Sequence, residues 1–144
     1  MRPSNLFRAA VSAALAALAL AGCSSMGMGG GTRVTLSGNN EVPPVATSAS
    51  GSGTITVSSD KSVSGSVTTS GVDGIAAHIH VGAPGHNGPV LIPLGKSADG
   101  KTWSVPTRAK LSDAQYDAYK AGNLYVNVHS AAHKGGEIRG QLAP

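Results

Sequence analysis

Ile75-Ala-Ala-His-Ile-His-Val81 and Tyr125-Val-Asn-Val-His129 decide the fold. Each alternates apolar and polar residues with a period of two, the pattern of a strand with one face on a core. In the first, Ile79 and Val81 take one face. His78 and His80 take the other, roughly 7 Å apart at about 3.3 Å per residue. In the second, Val126 and Val128 are the apolar pair, with His129 on the opposite face. If the apolar faces share one core, the three imidazoles stand on non-core faces and are placed to converge on a metal ion.

Similar short runs occupy 33–37, 53–58, 63–70, 89–94, 101–105 and 137–142. Thr, Val and Ile dominate them, and Gly, Pro, Ser or Asp-Gly fills the gaps. Ser58-Ser-Asp-Lys-Ser62 and Ala98-Asp-Gly100 read as hairpin turns. About eight such strands predict an all-β antiparallel sandwich or barrel. One short helix interrupts them. Ser112 can cap it, Gln115 completes a capping box, and Leu111 can staple against Tyr116. Asp113 and Lys120 suit its two ends, and Gly122 its left-handed stop.

The N-terminus sets an address. Arg2 and Arg8 flank or precede an apolar run, 9–21, too short to span a bilayer comfortably. It ends in Leu20-Ala21-Gly22-Cys23, which matches a bacterial lipobox. Residues 1–22 are therefore expected to be a lipoprotein signal peptide and 23–32 a lipid-anchored, glycine-rich tether. The domain follows at 33–144. Ser24 does not resemble an inner-membrane retention signal, so the expected location is the periplasm, anchored to the outer membrane. Removing Arg2 and Arg8 from 11 basic and 7 acidic residues lowers the charge from +4 to about +2. That small excess gives no reason to expect a nucleic-acid partner. Trp103, Tyr116, Tyr119 and Tyr125 are too few for an aromatic binding platform. Cys23 is the only cysteine, so the domain folds without disulfides and any metal is held by nitrogen and oxygen.

Pairing 123–129 with 137–142 as a hairpin adds local detail. A register that sets Val128 opposite Ile138 keeps both on the core face. It also sets His129 opposite Glu137, Asn127 opposite Arg139 and Tyr125 opposite Gln141, each about 5 Å apart at Cβ. Glu137 is then expected to accept a hydrogen bond from His129, as outer groups orient histidine ligands. Arg139 would hold Glu137 ionised or face an anion, with Asn127 beside them. His86 and His133, on loops, and Glu41, in the proline-stiffened Asn39-Asn-Glu-Val-Pro-Pro44, are further candidate ligands.

Leu36-Ser-Gly-Asn-Asn-Glu-Val-Pro-Pro-Val45, His78-Ile-His80 with Gly88-Pro-Val90, Ala121-Gly122, Tyr125-Val-Asn-Val-His129 and Gly136-Glu-Ile-Arg-Gly-Gln141, in that order, resemble the CHRD domain first named from chordin. The resemblance runs from about Val34 to Leu142. It implies an all-β domain frequent in bacterial secreted proteins and lipoproteins, and brings no settled activity.

Three neutral imidazoles suit copper, with zinc as the second choice. A His-X-His strand is also similar to the copper site of copper–zinc superoxide dismutases, and the expected sandwich is Ig-like or superoxide-dismutase-like. This chain, however, lacks their paired cysteines and a second ligand set. No nucleophile elbow, Cys–His pair, carboxylate dyad or phosphate-cradling loop is present, so the chain reads as a binding protein rather than an enzyme. The expected function is copper binding by a lipid-anchored domain that works with a metal-handling or envelope partner. A copper-dependent dismutase and a non-metal interaction module remain alternatives.

Overall fold

The computed structural model describes residues 30–144. The leader, Cys23 and most of the tether lie outside the described residues. The strands are β1 (Thr32–Ser37), β2 (Ser50–Val57), β3 (Val63–Ser70), β4 (Gly74–Val81), β5 (Val90–Pro93), β6 (Gly95–Lys96), β7 (Thr102–Ser104), β8 (Leu124–Ser130) and β9 (Ile138–Leu142). One helix, α1 (Asp113–Lys120), precedes β8. All strand pairs are antiparallel, in one sheet of order β5-β4-β8-β9-β1-β2-β3-β7-β6.

The two edge strands, β5 and β6, are consecutive in the chain, so the sheet must curl to bring its edges together. Leu94 donates its N–H to Ala77 O at 2.9 Å, and Lys96 Nζ donates to Gly74 O at 2.6 Å. The result is nearly a barrel, which leaves little free edge for another chain to pair with.

Alternation builds the core. Val34 and Leu36 of β1, Ile55 of β2, Val67 of β3, Ala77 and Ile79 of β4, Trp103 of β7, Leu124, Val126 and Val128 of β8, and Ile138 and Leu142 of β9 are all buried. Trp103 is the largest of them, and its ring packs so closely on β4 that a Cβ at Gly74 would lie 2.6 Å from it. The expected turns close β2–β3, through Ser58 N–H to Ser62 O, and β6–β7, through Gly100 N–H to Ser97 O. The two-residue β6 is too short to show a period, which is why the sequence pattern does not reveal it.

The helix has the predicted limits. Ser112 Oγ accepts from Gln115 N–H, and Gln115 Oε1 accepts from Ser112 N–H, closing the capping box. Gly122 stops it at φ 76°. Leu111 and Tyr119 are buried, and Tyr116 packs against the core beside them.

The outer surface of the sheet has two unlike halves. Over β1, β2, β3 and β7, the registers align Thr35, Ser52, Thr68 and Thr102 in one row and Arg33, Thr54, Ser66 and Ser104 in the next. That half is a lattice of hydroxyls in which Arg33 is the one charge. Over β4, β8 and β9, segments 38–47 and 82–89 fold across the sheet and bury polar side chains: Glu41, His80, Asn127 and Arg139 are all under 10 % exposed. The histidines lie in this covered half.

Candidate metal centre

On β4 the alternation that buries Ala77 and Ile79 turns His78 and His80 outward, and on β8 it turns Tyr125, Asn127 and His129 outward. The β4–β8 register places His78 opposite Asn127, His80 opposite Tyr125 and Ala76 opposite His129. His129 is therefore diagonal to His78. Ring centroids lie 5.4 Å apart for His78–His80, 4.8 Å for His78–His129 and 6.2 Å for His80–His129. One nitrogen from each ring falls within 4.8 Å of the other two, and His78 Nδ1 is 3.0 Å from His129 Nε2. Three close histidines that can hold a metal ion are thus assembled from two strands 51 residues apart.

Backbone carbonyls set the tautomers. His80 Nδ1 lies 2.9 Å from Gly88 O, and His129 Nδ1 lies 2.8 Å from Lys134 O. A carbonyl only accepts, so both Nδ1 atoms carry hydrogen and both Nε2 atoms present a lone pair. This is the arrangement in which a second hydrogen bond orients a histidine ligand. His80 Nε2 is buried and has no hydrogen-bond partner. Burial also holds the pKa of His80 below the usual histidine value, against the pull of its Gly88 hydrogen bond. Burial lowers His78 as well, helped by the charges its neighbours His129 and His80 would carry. Both rings are kept neutral, as a metal ligand must be.

Behind His80 stand two further tiers. The Tyr125 ring stacks on the imidazole at 4.7 Å with a 4° interplanar angle, and the Arg139 guanidinium covers the other face of this region, 3.5 Å from the Tyr125 centroid. Arg139 donates to Asn87 Oδ1 and to the carbonyls of Ala83 and His86. It is 1 % exposed, and these bonds tie down the 82–89 segment.

The predicted hairpin register is present: Val128 pairs with Ile138, Asn127 with Arg139 and Tyr125 with Gln141. The expected His129–Glu137 hydrogen bond is not formed. The ladder ends at Val128–Ile138, and the loop after β8 brings Lys134 O to His129 Nδ1 instead. Glu137 turns to Thr47, whose hydroxyl donates at 2.8 Å, and a hydrogen bond from Ser130 lowers its pKa. Arg139 likewise does not pair with Glu137; its charge acts on Glu41.

The other candidate ligands stay outside the histidine trio. His86 is exposed, with its carbonyl committed to Arg139. His133 lies in the turn after β8, where its N–H meets Ser130 O. Glu41 is buried beside Asn127 and Gly136, with Oε1 unpartnered, and burial raises its pKa to about 7 against the pull of Arg139 and Asn127. It lines an open cleft of about 460 Å³ with Asn39, Val42, Arg139 and Gln141. Sequence reasoning placed Tyr125 opposite Gln141 but missed its stacking on His80, although its place two and four residues before Asn127 and His129 puts it on their face. The carbonyls of Gly88 and Lys134 leave no trace in side-chain pattern.

No curated protein and no solved structure matches the chain. The family model of the CHRD domain matches residues 32–142, from the first residue of β1 to the last of β9. Strands, loops and histidine face all fall within that match, and the chain belongs to the CHRD domain family.

Proposed function

We propose that this protein binds a divalent transition-metal ion, copper foremost, as a lipid-anchored domain of the bacterial periplasm that stores the ion or passes it to another envelope protein. The observation that carries the reading is the histidine trio: three nitrogens within 4.8 Å, with carbonyls on the far sides of His80 and His129 leaving both Nε2 atoms as lone pairs, that of His129 accepting from His78 Nδ1. Among the divalent first-row ions copper binds neutral imidazoles most tightly, and zinc suits them too. His78 and His129 are only half-buried, which leaves the ion a way in and out. The lipobox Leu20-Ala21-Gly22-Cys23 supports the anchor and the address.

Calorimetry with Cu(II) on the purified chain tests the reading. Wild type binds one ion, and His78→Ala and His129→Ala each weaken binding by at least about ten-fold, as losing a metal-site partner does. Equal, weak binding by all three proteins overturns it.

A further inference from the structure

Asn127 lies directly across the β4–β8 ladder from His78 and is 2 % exposed. Its amide nitrogen faces two acceptors, the Gly135 carbonyl at 3.5 Å and the Glu41 carboxyl. That fixes the amide orientation and turns Oδ1 the opposite way, towards the histidines. The Asn127 side chain is close enough to His80 to favour its protonated form, yet with the ring neutral neither Asn127 Oδ1 nor His80 Nε2 has a hydrogen-bond partner. The one proton of neutral His80 is spent on Gly88. Two lone pairs therefore meet in a buried space with no hydrogen between them.

Leaving such atoms unsatisfied costs about 1–3 kcal/mol each. A second proton on His80 would relieve them, but it would create a buried imidazolium close to two more imidazoles and the Arg139 guanidinium. A metal ion satisfies both atoms and uses the neutral rings as they stand. Asn127 also shares the outer face of β8 with His129, two residues on, and lies across the ladder from His78.

We propose that Asn127 Oδ1 is a fourth ligand, so that the ion sits in a closed site of three nitrogens and one oxygen. This rests on the metal-binding reading above. It deepens it in one respect: three imidazole nitrogens and one amide oxygen would make a complete protein-supplied set of the nitrogen and oxygen donors that suit copper.

Azide, which competes for a position the protein does not hold, is the probe. The full chain, purified in detergent and loaded with Cu(II), is titrated with azide and followed by electron paramagnetic resonance and by ligand-to-copper charge-transfer absorption. Asn127→Ala responds at azide concentrations at least about ten-fold lower than wild type and binds copper at least about ten-fold more weakly, and Asn127→Asp, which restores an oxygen, returns towards the wild-type response. Wild-type spectra that respond to azide as readily as those of Asn127→Ala overturn the fourth ligand while leaving the histidine site standing. If Asn127→Ala does not fold, Asn127→Asp decides: an electron paramagnetic resonance spectrum identical to that of wild type, with an anionic oxygen in place of a neutral one, overturns the fourth ligand. Failure of wild type to bind copper at all overturns the metal reading itself.

Discussion

Replacing Glu41 by glutamine is expected to remove most of the protein's loss of stability between mildly acidic and mildly basic pH. Glu41 is 4 % exposed and its Oε1 has no partner. Burial raises its carboxyl from 4.5 to about 7, although the Arg139 guanidinium and the Asn127 amide oppose the shift. Below pH 4.5 the group is protonated in both folded and unfolded chains and contributes nothing to the pH dependence. Between 4.5 and about 7 the unfolded chain releases the proton while the folded one keeps it. The folded state then binds more protons, so stability falls as pH rises, and above about 7 the loss is complete. At 1.36 kcal/mol per pH unit, a shift of that size is worth roughly 3 kcal/mol. A domain with 5–15 kcal/mol in total would register that clearly. Urea denaturation of the metal-free chain at pH 4.5 and pH 8, followed by fluorescence of the buried Trp103, measures it. Wild type should lose roughly 3 kcal/mol more than Glu41→Gln over this interval. Identical pH slopes for the two proteins would show that the carboxyl is not held protonated by its surroundings, and the argument from burial would fail.

Gly136→Ala tests the packing that holds Asn127. The glycine has φ 127°, and an added Cβ would lie 2.3 Å from Glu41 Oε1 and 2.6 Å from Asn127 Nδ2. Strain and displacement together predict a loss of about 2 kcal/mol or more in urea unfolding, with weaker copper binding; an unchanged midpoint and affinity would refute the contact. Cys23→Ser tests the anchor. Cells fed labelled palmitate should label the wild-type chain and leave the variant unlabelled, and equal labelling of both would reject lipidation at this residue.

Much of this architecture is written in side-chain alternation, and what is not written there has a physical reason. The period of two in 75–81 and 123–129 places each histidine on the correct face, because a strand has only two faces. The β8–β9 register agrees with the same rule, since Val128 opposite Ile138 keeps both runs on the core and a one-residue slip would not. The limits of α1 are legible because Ser112 and Gln115 satisfy backbone groups within one turn of themselves. That β4 and β8 are neighbours is not legible from either strand alone. Both are apolar on one face, and nothing in 75–81 distinguishes β8 as a partner from any other strand with a buried face. The groups that orient the rings escape notice for another reason. Gly88 and Lys134 act through carbonyls whose directions depend on loop conformation, and Glu137 is drawn to Thr47, which is brought to it by the 38–47 segment far away in sequence.

The geometry of the histidine trio is enforced from beneath. Leu124, Val126 and Val128 are fully buried on the inner face of β8, and Ile79 is nearly so on β4. Fully burying each such side chain contributes about 1.5–3 kcal/mol. Slipping β8 by one residue would expose all three of its core residues and drive Tyr125, Asn127 and His129 inward, a loss on the order of the whole stability of a small domain. No arrangement of three imidazoles on the surface has to supply that energy. The core fixes the register, the register fixes His78 across from Asn127 and diagonal to His129, and the covering loops then need only aim two carbonyls to set the tautomers. A site built this way is rigid before any ion arrives. It should therefore change little on binding, and core substitutions such as Val128→Ala should disturb copper affinity even though they touch no ligand.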